Sequence, residues 1–103
     1  MTSVRFSGSK DQGQLFRADY DESGDVLYII KGDARRARNI EEEAGLILRF
    51  DRETRDPVGV TIIDFKHYWL PRRKHLLQRL ANWFNVSRDE ADRILKSGYE
   101  KNA

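Results

Sequence analysis

Between residues 15 and 65 apolar side chains recur at every second position, and from Pro71 onward they recur at every third or fourth. A period of two belongs to a strand with one buried face, and a period of 3.6 to a helix with one buried stripe. A chain that changes period once builds its strands first and then lays helices on them. The expected class is therefore α+β, an antiparallel sheet followed by two C-terminal α-helices, in one domain of 103 residues.

The strands can be read one by one. LFRADY at 15–20 sets Phe16, Ala18 and Tyr20 against Leu15, Arg17 and Asp19. DESG at 21–24 is a turn, with acids that bond their own backbone and a glycine that tolerates positive φ. DVLYIIK at 25–31 is apolar on both faces, Val26, Tyr28 and Ile30 on one and Leu27 and Ile29 on the other. Such a strand is expected to be central and covered on both sides. RARNI at 36–40 reads as an edge strand. GLILRFD at 45–51 aligns Leu46, Leu48 and Phe50, and VGVTIIDF at 58–65 aligns Val58, Val60 and Ile62. The short connections between these runs predict a four- or five-stranded antiparallel β-meander over residues 15–66. Residues 1–14 read as a flexible N-terminal arm, with a short added strand around Val4 and Phe6 left open.

Pro71 suits the first turn of a helix, where its missing N–H is not needed. Leu76, Leu77, Leu80, Trp83 and Phe84 then fill an arc of roughly 120° on one helix. Ser87 and Glu90 form the S-x-x-E capping box of a second helix. Asp89 and Glu90 favour its N-terminal dipole and Lys96 its C-terminal end, and Gly98 is expected to stop it. Residues 71–98 are thus a helical hairpin packed on the sheet.

Charge restricts the function classes. Nineteen Lys and Arg stand against 17 Asp and Glu, so overall charge does not announce nucleic-acid binding and only a local patch could. Cysteine is absent, which excludes disulfides, thiolate metal sites and a cysteine nucleophile. No apolar run approaches the ~20 residues of a membrane span, and the N-terminus lacks the apolar centre of a signal peptide, so no membrane partner and a cytoplasmic location are expected.

Chemical motifs are sparse. The acids at 19–25 (Asp19, Asp21, Glu22, Asp25) are too closely spaced for a calcium loop and read as turn chemistry. His67 and His75 match no metal spacing; with Asp64 or the cations at 72–74 they could serve a small RNase, or they could be surface residues. There is no phosphate loop and no nucleophile elbow, so the chain is expected to be no enzyme and to use no cofactor. KHYWLPRRKH at 66–75 sets Tyr68 and Trp69 beside several cations. It reads as a sheet–helix junction, as a protein-binding anchor, or as a stacking platform for single-stranded nucleic acid.

LANWFNVSRDEADRIL at 80–95 resembles the helix-turn-helix of lac-repressor-type regulators: Ala81 at the helix contact, Asn85 in the turn, Val86 after it, Ala91 and Ile94 buried. As a DNA reader it would use Arg72, Arg73, Lys74, Arg79, Arg88 and Arg93. Asp89, Glu90 and Asp92 repel phosphate there, and suit a basic partner protein instead. The exposed acid of that docking surface is Asp92.

YDESGDVLYI at 20–29 and FDRETRDPVGVTIIDF at 50–65 resemble the small bacterial domain of unknown function numbered 2283. That family has a Tyr-Asp, an acidic turn and Asp-x-Leu-Tyr-Ile, then an Asp-rich turn, Val-Gly and an apolar strand. Thr61 departs from it, where most members have an acid two residues after the glycine. The resemblance covers about residues 15–66 and implies a twisted antiparallel sheet and an antitoxin-like role, with no catalytic residues to carry over. The leading expectation is a non-catalytic protein-binding module, antitoxin-like or a small adaptor or assembly subunit of a bacterial or phage complex. Its partner would be a toxin-like protein or a larger complex, met through Tyr68, Trp69, Arg72, Arg73, Asp89 and Asp92. Nucleic acid, bound directly or through that partner, and the small RNase are the alternatives.

Overall fold

The computed structural model describes residues 2–6, 14–32 and 36–100. Six strands make one antiparallel sheet: β1 (Thr2–Phe6), β2 (Gln14–Asp21), β3 (Val26–Lys31), β4 (Ala37–Glu43), β5 (Leu46–Asp51) and β6 (Pro57–Ile63). A π-helical turn, Phe65–Trp69, and a 3-10 turn, Leu70–Arg72, lead into α1 (Arg73–Phe84), and α2 (Arg88–Tyr99) follows. The chain is an α+β fold, an antiparallel sheet followed by two helices, as the change of period requires.

The strand order β1-β2-β3-β6-β5-β4 corrects the single meander. Two three-stranded meanders meet along β3 and β6, in a register that sets Leu27 against Ile62 and Ile29 against Val60. These two strands carry some of the most completely buried side chains of the sheet, and side by side they put them at its centre, under the helices. Five strands lie within residues 14–63, and Thr2–Phe6, read from sequence as part of the arm, adds a sixth against β2. Residues 7–13 of that arm lie outside the described residues. β4 is an edge strand, as RARNI suggests, and runs on to Glu43.

Both helices lie on one face of the sheet, α2 against β1 to β3 and α1 against β6. Phe16, Ala18, Leu27, Ile29, Leu46, Leu48, Val60 and Ile62 from that face form one core with Leu76, Leu80, Phe84, Ala91, Ile94 and Leu95. Burying each Leu, Ile or Phe contributes ~1.5–3 kcal/mol. Phe16 meets Phe84 edge-on, with ring centroids 5.2 Å apart. β3 is therefore covered on one side only, contrary to expectation. Both helices follow β6 and pack together, and among the described residues no element reaches the opposite face.

The helical hairpin shows the expected punctuation. Asn85 ends α1 in the left-handed region at φ 57, and the N–H of Val86 donates to the carbonyl of Ala81 at 3.1 Å. Ser87 Oγ accepts from the N–H of Glu90, and Glu90 Oε1 from the N–H of Ser87, both at 3.0 Å. Gly98, however, does not stop α2, which runs on to Tyr99. A Cβ on Gly98 would lie 2.7 Å from Leu27 Cδ1 and 3.0 Å from Ala18 Cβ. The glycine is there so that the helix can approach the sheet.

Candidate protein-docking surface

The segment between sheet and helices is fixed by one carboxylate. Asp25, at φ 55, ends the β2–β3 turn. Its side chain accepts from the N–H groups of Lys66 (2.8 Å) and His67 (3.1 Å) and from the Tyr20 hydroxyl (2.7 Å). Its carbonyl accepts from the N–H of Phe65 at 2.9 Å. Burial alone would raise the carboxyl's pKa, but these hydrogen bonds hold it below the usual value. The Tyr20 phenol is pushed up to about 12, by burial first and then by the bond to Asp25. At Asp64 the backbone turns through φ 60, and its carbonyl accepts from the N–H of Tyr68 at 2.8 Å. The π-helical turn so positioned sends Phe65 and Trp69 into the core and leaves Tyr68 40% exposed.

Trp69 then seats α1 on the end of β4. Its indole stacks on the His75 ring at 6.1 Å, and His75 Nε2 is 3.0 Å from Glu43 Oε1. Arg79 pairs with Glu42 at 2.9 Å and with Glu43 at 3.3 Å. In the β4–β5 turn Gly45, at φ 80, receives the N–H of Ile63 on its carbonyl at 2.7 Å and donates to Glu41 Oε2 at 3.1 Å. A side chain there would be strained, and its Cβ would lie 3.0 Å from the Ile63 carbonyl oxygen.

These contacts leave a cavity of about 310 Å³ lined by Gly45, Ile47, Ile63, Tyr68 and Trp69, with Ala44 and the acids Glu41 and Asp64. Trp69 Nε1 is buried, has no hydrogen-bond partner among the described residues, and lies 3.5 Å from where a Gly45 Cβ would be. The cavity opens on the helix-free face of the sheet. Register sets Tyr28 beside Thr61 and Thr61 beside Ile47, with Val26 beside Ile63, so these residues share that face with Ile30. Tyr28 is 41% exposed and Ile63 38%. Around them stand Arg17, Asp19 and Arg49, whose Nε donates to Asn39 Oδ1 at 3.2 Å.

The residues expected to bind a partner separate into two groups. Tyr68 lines the cavity, and Arg72 lies over its ring, the guanidinium carbon 3.8 Å from the centroid, while Nη1 donates to the Tyr68 carbonyl at 2.8 Å. Trp69, read as an exposed anchor in one interpretation, is 1% exposed and belongs to the core. Arg73 is bound within the fold, to the Tyr99 hydroxyl at 3.1 Å and to Asp92. Asp92 is therefore not the exposed acid of a docking surface. It is half-buried between Arg73 and Lys96, the latter at 3.4 Å, because α2 turns that side toward α1. Asp89 is exposed, on the helix layer and away from the open sheet face. Of the six cations considered for DNA, Arg73 and Arg79 are engaged in ion pairs, and Lys74, Arg88 and Arg93 are exposed. No hydrogen bond joins His67 to His75 among the described residues. His75 faces Glu43, and His67 meets the Asp25 carboxylate through its backbone N–H. No helix is long and apolar enough to cross a membrane, and among the described residues no group of His, Cys, Asp and Glu could hold a metal ion. The sequence pattern offered no signal for Gly45, Ile47 and Ile63 as a cavity, since Gly45 reads only as a turn.

The chain matches no protein-family model, no curated protein and no solved structure.

Proposed function

We propose that the chain is a non-catalytic protein-binding module, antitoxin-like or a small adaptor subunit, that receives its partner on the helix-free face of the sheet. The observation that carries this reading is the cavity of Gly45, Ile47, Ile63, Tyr68 and Trp69 at the end of that apolar face. Contiguous exposed apolar surface rimmed by polar groups marks interaction sites, and aromatic residues beside arginine are enriched in binding hot spots. The carboxylates of Glu41 and Asp64 beside the cavity select the occupant: an apolar side chain of the partner flanked by Lys or Arg. The resemblance of residues 15–66 to the domain of unknown function numbered 2283 supports the antitoxin-like form. The DNA-reading alternative has less to draw on, because Arg73 and Arg79 already have acidic partners.

Affinity capture from the source cells on immobilised wild type and on Ile63→Lys tests this reading. The expected result is one protein retained stoichiometrically by wild type and lost by Ile63→Lys, although both melt at the same temperature. The complex rebuilt from the two purified proteins then binds at least tenfold more weakly with Ile63→Lys. A protein held equally by both forms removes the reading.

A further inference from the structure

At the opposite end of β5 and β6, the loop 51–56 is held by its own side chains. Asp51 Oδ1 accepts from the N–H groups of Glu53 (2.8 Å) and Thr54 (3.0 Å), and the Asp51 carbonyl accepts from the N–H of Arg55 at 2.8 Å. Thr54 Oγ1 accepts from the N–H of Asp56 at 3.2 Å. Arg36 occupies the nearby acids, Glu53 at 3.0 Å and Asp51 at 3.8 Å. Beside them is a cavity of about 490 Å³ lined by Arg38, Phe50, Arg52, Glu53 and Arg55. Among the described residues, the guanidinium groups of Arg38, Arg52 and Arg55 make no side-chain bond. Phe50 is half-buried, with Arg38 as its cross-strand neighbour.

We propose that this cavity binds a nucleotide, with the base against the Phe50 ring and the phosphate on Arg38, Arg52 and Arg55. Guanidinium forks match phosphate oxygens bidentately, and every base offers a π-face to an aromatic side chain. The volume falls in the range of small-molecule sites, roughly 300–1,000 Å³. Among the described residues that line the cavity, three cations without an ion pair face one carboxylate, Glu53, which is already held by Arg36. Arg55 stands at φ 69, a left-handed conformation that costs an arginine free energy and a glycine none. The site is remote from the docking cavity, which lies at the Gly45 and Ile63 ends of the same strands.

Calorimetric titration of the full chain with ADP, with inorganic phosphate and with a short single-stranded oligonucleotide tests the assignment. ADP is expected to bind saturably, at least tenfold more tightly than phosphate. Phe50→Leu should weaken ADP at least fivefold and leave phosphate unchanged. Arg55→Gly should weaken both ligands without lowering the melting temperature, so that its effect cannot be assigned to misfolding. Ile63→Lys should leave all three affinities unchanged. Tighter binding of the oligonucleotide, with the same dependence on Phe50, assigns the nucleotide to a strand rather than to a free molecule. No saturable binding of ADP or the oligonucleotide, phosphate binding as tight as ADP, or affinities unaltered in Phe50→Leu overturns the proposal.

Discussion

Asp25 shows how much one side chain can organise and how little of that its neighbours disclose. In the sequence it is one of four acids around a turn, and the turn itself was legible. Asp21 does bond its own loop, accepting from the N–H groups of Ser23 at 3.2 Å and Gly24 at 3.4 Å. Asp25 instead reaches residues 66 and 67, and no local pattern encodes a partner 41 positions away. Asparagine tolerates the left-handed backbone of this position, so Asp25→Asn isolates the charge. The folded-state carboxyl pKa is depressed, so its stabilisation is complete above the unfolded value and is lost as pH falls through the folded one. Asp25→Asn should lower stability at neutral pH by ~1.5–3 kcal/mol and flatten the acid limb of a stability–pH curve measured by urea titration. Tyr20 has the opposite sign: raised from 10.0 to about 12, it stabilises the fold below pH 10 and loses that contribution as pH rises toward 12. Tyr20→Phe should remove that alkaline limb.

At the scale of the element, α2 separates what a local code can state from what it cannot. Its cap was readable because Ser87 and Glu90 serve each other within one turn. Its end was not, because Gly98 answers to Ala18 and Leu27, far off in the chain. Glu90→Ala should cost up to about 1 kcal/mol through loss of its half of the capping box, the bond from the Ser87 N–H. Gly98→Ala sets two effects against each other. Better helix propensity returns ~1 kcal/mol. Overpacking against the sheet costs ~1–3 kcal/mol, and Ala18 and Leu27 are themselves buried, so packing should win. Thermal melts decide it, since a Gly98→Ala protein that melts higher would show that the close approach of α2 to the sheet does not depend on a glycine. The place of Asp92 is hidden for a related reason: helical spacing puts it beyond the first turn, but only the packing of α1 against α2 brings it to Arg73.

The molecule as a whole is a sheet with one occupied side. The class was legible in the change of period at Pro71, and so were the inward residues of β2, β5 and β6, because alternation is a property of each strand alone. The strand order was not, because the union of β3 with β6 pairs residues far apart in the chain, such as Val26 with Ile63, while hairpin signals speak only of neighbours. Nor could alternation say that one apolar side of β3 would remain uncovered. Adjacent residues therefore predict opposite outcomes. Leu27→Ala should cost ~2–5 kcal/mol, and Tyr28→Lys should stay within ~0.5 kcal/mol, both by chemical denaturation of the isolated protein. The far border of the sheet bears on how it can meet other molecules. β4 carries Arg38, Asn39, Glu41, Glu42 and Glu43, and its ladder is interrupted between Glu41 and Glu43. Charge and irregularity of this kind discourage an incoming strand from continuing a sheet. A visitor is turned away from this margin, so that growth by lateral addition, the first step toward fibres, is opposed on the β4 flank of the sheet.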